Sequence, residues 1–285
     1  MVPVAEAGYN RTRRVCVLCS AHLMAGDHTC PARYAIAIAT PRADAYHKHG
    51  AIRHLSAAME SAAKKTRSGG EGGTRVGAEA VGEKPAIVGP LAALERVHGG
   101  PKALFSELVP MLSTEVPLDV CAHACQLVGA SLLLASRMPS TETWVKLVVS
   151  IPHTAVDGLL ECLHVAPARV KASRALFYAA KAPPPGSGGA LLEARSGVQI
   201  ILDVLKSLPA TTEPSVTPPA SSASRLALRS LREWLCATLM LVVAGRPRAA
   251  RALVASGGVA LLCRQLEVGP TGVGVHACGV LTCAL

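Results

Sequence analysis

The sequence predicts an all-α protein whose carboxyl-terminal two thirds is a succession of helical layers, each hiding its apolar side on the next. Three observations lead there. Half of the 285 residues are hydrophobic but only 3% are aromatic. The core must therefore be assembled from Ala, Val and Leu, which suit helices lying against helices better than a sandwich of strands. From Ala86 onward the apolar residues recur with helical period. A glycine-punctuated unit also occurs twice, as LLEARSGVQIILDVL (191–205) and ALVASGGVALLCRQL (252–266).

The two copies align at an offset of 61 residues: Leu192 with Leu253, Ala194 with Ala255, Gly197 with Gly258, Val198 with Val259 and Leu205 with Leu266. Between them, Ile200 and Ile201 meet Leu261 and Leu262. In each copy a short helix is expected to end where glycine supplies a left-handed stop that other residues resist. A second helix starts at the valine, with apolar residues at i, i+2, i+3 and i+7 forming one broad face. After Leu266 a polar turn, EVGPTG, leads to a third helix, VGVHACGVLTCAL, with Val275, Cys278, Leu281 and Leu285 expected along one side.

In the first copy, residues 209–224 (PATTEPSVTPPASSAS) carry four prolines and read as a surface loop inserted before the third helix. That helix resumes at RLALRSLREWLCATLMLVVAG. Without an insertion of about 16 residues the offset falls to about 45, inside the range of helical repeat arrays. Looser two-helix units lie upstream, at 155–165 with 168–182 and at 103–112 with 116–136. Their Ala-rich second members, with small residues every three or four positions, allow the close approach that stacking needs.

At these residues the chain resembles the armadillo repeat family, in which a Gly-Gly-Ile/Val junction opens a helix that is followed by an Ala- and Leu-rich third helix. Ser256, Gly257, Gly258, Val259, Leu261, Leu262, Leu266 and the segment HACGVLTCAL are similar to that pattern. The resemblance implies a right-handed α-solenoid of about four armadillo-type repeats over residues 86–285, with HEAT-type repeats as the structural alternative. It implies a protein-binding scaffold and not an enzyme. Third helices of such a stack line a groove. The expected partner-binding residues are therefore His123, Gln126, Arg169, Lys171, Arg174, Arg225, Arg229, Arg232 and His276. Several are cationic and the formal net charge is +10, so the expected partner is an acidic or phosphorylated protein. The alternative is that these side chains are simply the solvated faces of amphipathic helices. Thr282 stands where the family's peptide-binding members carry Asn, which disfavours a carrier of basic peptides.

Residues 1–63 read as a basic, poorly ordered segment and 64–85 as a Gly-rich flexible linker. Within the first segment, Cys16 and Cys19 have the spacing that lets two thiolates bite one metal ion. Cys30 offers a third ligand and His22 or His28 a fourth. The segment resembles the zinc knuckle of nucleic-acid-binding proteins, which implies one structural Zn and makes nucleic acid the alternative partner. It departs from that pattern at Met24, where the knuckle carries His, and in the longer interval before Cys30. The other reading is an unstructured stretch whose Cys and His bind nothing, with His47, His49 and His54 merely exposed nearby.

No G-x-S-x-G, G-x-x-x-x-G-K-[ST] or H-E-x-x-H occurs in the chain, so no motif argues for an enzyme. Ten cysteines are too few for a disulfide scaffold, and seven of them fall in apolar helical stretches. With no signal-peptide pattern and no apolar run of membrane-spanning length, a soluble protein of the cytoplasm or nucleus is expected. The last apolar helix lacks a polar capping helix after it, so self-association or continuation in a longer chain is expected.

Overall fold

The computed structural model describes residues 38, 48–57, 101–137, 153–181, 187–209, 222–268 and 271–284. Among the described residues there are helices and turns and no strand. Residues 1–111 and 112–285 form two compact units. The candidate zinc ligands Cys16, Cys19, His22, His28 and Cys30, the 64–85 linker and most of the 209–224 insertion lie outside the described residues.

In the first unit, residues 48–57 are helical and bury Ala51, Ile52 and Leu55. Lys48 of that helix pairs with Glu107 on α1 (Pro101–Leu108), and a 3-10 turn follows at Val109–Met111. This stretch departs from the poorly ordered segment that composition suggested. Its apolar residues share one helical side at i, i+1 and i+4, which is enough to dock it.

The second unit contains α2 (Leu118–Arg137), α3 (His153–Cys162), α4 (Arg169–Lys181), α5 (Ser187–Ala194), α6 (Gly197–Ser207), α7 (Ser222–Val243), α8 (Pro247–Ala255), α9 (Gly258–Val268) and α10 (Thr271–Ala284). Four of these form a row: α4 packs against α2 on one side and α7 on the other, and α7 packs in turn against α10. The shorter helices join them, α3 and α5 on α4, α5 and α6 on α7, α8 and α9 on α10.

Small residues set the spacing. A Cβ placed on Gly129 of α2 would lie 3.2 Å from the Cα of Ala175 on α4, and one on Gly188 of α5 would lie 1.9 Å from the carbonyl oxygen of Ala179. Bulk at either position would push the layers apart. The buried face of α4 is accordingly Ala172, Ser173, Ala175, Leu176, Tyr178, Ala179 and Ala180.

The two glycine junctions repeat in three dimensions, with one correction to the expected roles. The left-handed residue is the one before the aligned glycine: Ser196 has φ 56° and Gly257 has φ 70°. The aligned glycines, Gly197 and Gly258, begin the next helix and are required for proximity. A Cβ at either would sit 2.7 Å from a carbonyl oxygen, that of Leu192 in one copy and Leu253 in the other. The motif therefore preserves a close crossing between successive helices as well as a stop.

Helix ends are capped by side chains from outside the regular hydrogen-bond ladder. Arg169 donates from Nε to the Leu163 carbonyl at 2.7 Å. Arg246 donates from Nη1 to the carbonyls of Leu241 at 2.8 Å and Val242 at 3.1 Å. Both place a cation at a helix carboxyl end, where orphan carbonyls concentrate partial negative charge. Pro247 then opens α8 at a position where a missing N–H is harmless.

The face of α10 differs from expectation. Val273, Ala277 and Val280 are buried, whereas Val275 is 65% exposed and Cys278 is exposed. The pattern of apolar residues goes almost all the way round this helix, so sequence periodicity alone could not choose between the sides. α10 turns its smaller residues towards its neighbour, with Gly279 against Met240 of α7.

Gly258→Ala should lower the stability of the chain by about 2 kcal/mol, because the new methyl meets the fixed Leu253 carbonyl oxygen as well as the Leu253 and Leu202 side chains. Ser196→Gly should be neutral or stabilising by up to about 1 kcal/mol, since it relieves a left-handed serine. Urea midpoints of the two variants against the parent check both, and an unchanged midpoint for Gly258→Ala contradicts the close-crossing account.

Candidate functional site

The row of long helices places the expected partner-binding residues in distinct situations. On α2, His123 and Gln126 are half-buried beside Ala130 and Leu133, at the i, i+3, i+7 and i+10 positions of one outward stripe. On α4 the corresponding stripe is Lys171, Arg174, Phe177 and Lys181, with Arg174 and Lys181 exposed and the other two half-buried. Arg225 and Arg229 are exposed one turn apart near the amino end of α7. His276 is half-buried on α10, and its Nδ1 is enclosed without a hydrogen-bond partner.

Two of the expected residues are engaged by backbone carbonyls, Arg232 buried and Arg169 half-buried. Arg232 is only 3% exposed and donates through Nη2 to the Pro209 carbonyl, so it ties α7 to the end of the α6 segment. Burial weakens its hold on its proton, and its Nε has no partner. Arg169 is engaged by Leu163 and, at 3.4 Å, by the His164 carbonyl. Periodicity could not separate these arginines from their neighbours, because the stems of long cationic side chains can be buried.

Half-buried Phe177 and Trp234 complete the outward face of α4 and α7, with the buried Tyr178 beside them, and the sequence reading did not assign these rings to it. Trp234 of α7 lies 5.1 Å from Phe177 and 6.0 Å from Tyr178, centroid to centroid. The two α4 rings meet edge to face at 5.4 Å. Arg174 sits over this group, 5.7 Å from the Tyr178 ring and 5.8 Å from the Trp234 ring. Lys181 lies 5.8 Å from the Phe177 ring. A signal was available: in a chain with so few aromatics, Arg174, Phe177, Tyr178 and Lys181 fall at the i, i+3, i+4 and i+7 positions of a single helix. Only the fold brings Trp234 to them.

The arrangement suits an anionic, partly apolar ligand. The cations stand over π faces that hold them in place, and the half-exposed Phe177 and Trp234 rings offer rigid contact area. An open cleft of about 610 Å³ lies elsewhere, between α8 and α10. Its cations, Arg246 and Arg251, are already turned onto backbone carbonyls.

A second constellation lies under the row. Cys121 and Cys125, one turn apart on α2, converge with Cys162 at the end of α3. Their three sulfurs all lie within 4.8 Å of one another and could hold a metal ion. The Sγ atoms of Cys121 and Cys162 are 3.1 Å apart. All three residues are fully buried. Hydrogen bonds from the Cys125 and Cys162 thiols, and from the Ser113 backbone, pull the Cys121 thiol well below its ordinary range. The same coupling, together with burial, pushes the other two thiols up. The spacing of Cys121 and Cys125 was visible in the sequence, but Cys162, 41 positions away, was not connected to them by any motif.

No protein family and no curated protein matches the chain. Among solved structures, an engineered protein from a structural genomics consortium is similar, with TM-score 0.55 and 18% identity, covering 89% of this chain and 78% of that one. A second engineered protein matches at TM-score 0.37 and 17% identity, covering 89% of this chain and 68% of that one. The first likeness bears on the fold alone, and the second is too low to support an argument.

Trp234→Ala should destabilise the chain by about 2 kcal/mol, less than a fully buried ring would, because Trp234 is half-exposed. Arg174→Ala should lower stability by under about 1 kcal/mol. Chemical denaturation followed by circular dichroism distinguishes the two, and equal losses would contradict a ring platform that stands without its cation.

Proposed function

We propose that the chain is a non-enzymatic interaction scaffold, a right-handed α-solenoid of about four armadillo-type repeats that binds an acidic or phosphorylated segment of a protein partner. The observation that supports this is the outward stripe of α4 in the middle of the helical row, where Arg174 and Lys181 stand over Phe177, Tyr178 and Trp234. The row α2, α4, α7, α10 has the neighbour pattern of third helices in consecutive repeats. On the helices to either side, half-buried His123 and Gln126 of α2 and exposed Arg225 and Arg229 of α7 would extend this as a polar track. An acidic segment laid across it would meet cations at successive layers, and its apolar side chains would meet the rings.

Among the described residues no helix is long and apolar enough to cross a membrane. A cytoplasmic or nuclear protein partner fits this reading. Self-association through the exposed side of α10 is its subsidiary expectation, Val275 and Cys278 being exposed there.

Titration of the full chain with a glutamate-rich peptide and its phosphoserine counterpart tests the proposal. The expected result is saturable binding that weakens with salt and is reduced about ten-fold by Arg174→Glu, a change worth about 1.4 kcal/mol. Absence of binding to either peptide, or binding indifferent to Arg174→Glu, overturns it. Salt-sensitive RNA binding that disappears with Cys16→Ser would favour the nucleic-acid alternative instead.

A further inference from the structure

The sulfur cluster beneath α2 has no part in a surface that binds a peptide. Cys121, Cys125 and Cys162 lie within 4.8 Å of one another, and no imidazole or carboxylate joins them among the described residues. Three sulfurs bound about 2.3 Å from one ion stand about 4 Å apart when the ion lies in their plane. In the structure the Cys121 and Cys162 sulfurs stand 3.1 Å apart and every pair in the group lies within 4.8 Å.

The donor set and its burial select among ions. Thiolates favour soft metals: monovalent copper, zinc and iron–sulfur clusters. Structural zinc takes four ligands, and a three-ligand zinc site keeps water in the fourth position. Among the described residues no fourth side chain joins the group, and all three cysteines are 0% exposed. Three buried sulfurs suit a single ion satisfied by two or three sulfur ligands, which is the coordination of Cu(I).

The surroundings agree. Cys121 lies in the first turn of α2, where the backbone N–H groups of the helix start favour a thiolate. Cys162 closes α3, where the orphan carbonyls of the helix end favour a cation. Two thiolates and one neutral thiol around Cu(I) leave one net negative charge, beside the positive end of α2.

We infer that Cys121, Cys125 and Cys162 form a buried three-sulfur site for Cu(I) that pins α2 to the end of α3. Binding replaces thiol protons by the metal and needs no change of oxidation state. The site lies in residues unrelated to the amino-terminal Cys16, Cys19 and Cys30, and it does not depend on the peptide-binding proposal.

The test uses the full chain carrying Cys16→Ser, Cys19→Ser and Cys30→Ser, loaded anaerobically with Cu(I) and passed over a competing Cu(I) chelator. The expected result is one retained equivalent of copper with only sulfur neighbours in X-ray absorption, together with a raised melting temperature. Cys125→Ala added to that chain should abolish retention while leaving its helical circular dichroism intact. Copper stripped by the chelator, or held by nitrogen and oxygen, overturns the inference on the parent protein alone, whatever Cys125→Ala does to folding. Undiminished retention in a folded Cys125→Ala chain overturns it equally.

Discussion

Close approach between the long helices is the constraint on which the second unit depends. Gly129 meets Ala175 and Gly279 meets Met240 between long helices, and Gly188 of the short α5 meets the backbone of Ala179 on α4. With so few aromatic residues, the chain has little bulk with which to fill wide gaps. Its stability therefore has to come from many short contacts between small side chains, which lose their attraction steeply once a gap opens. The same economy explains why Gly197 and Gly258 crowd the carbonyls of Leu192 and Leu253 in an identical way. Each junction lets one helix cross close to the end of the helix before it.

Close packing also leaves carbonyls at helix ends that need partners, and arginine supplies them. Arg169, Arg232 and Arg246 each turn inward onto backbone oxygens. The net positive charge of the chain is thus not equivalent to outward positive charge. Arg174 and Lys181 differ because rings, and not carbonyls, hold them. They remain available to solvent and to ligands. The division of labour among arginines decides where an anionic partner would feel the protein.

α2 illustrates how one helix serves two environments. Cys121 and Cys125 point to the buried side and His123 and Gln126 to the outward stripe, as helical periodicity requires. Free cysteine in a core ordinarily behaves as a small hydrophobe. Here three of them meet at the junction of two helices, with hydrogen bonds running among the sulfurs, which distinguishes the group from Cys236, a lone thiol whose proton is held by burial alone.

The sequence by itself determined the all-helical class and the positions of most helices, because apolar period and glycine punctuation are local properties that survive in any tertiary setting. It also marked the equivalence of the Gly197 and Gly258 junctions and the outward character of Arg174, Arg225 and Arg229. The inward turn of Arg232, the buried side of α10, the meeting of Trp234 with Phe177 and Tyr178, and the convergence of Cys162 on Cys121 and Cys125 were decided only by the tertiary structure. Each depends on which helix lies next to which. That information resides in the fit between distant surfaces, and no short window of residues contains both halves of it.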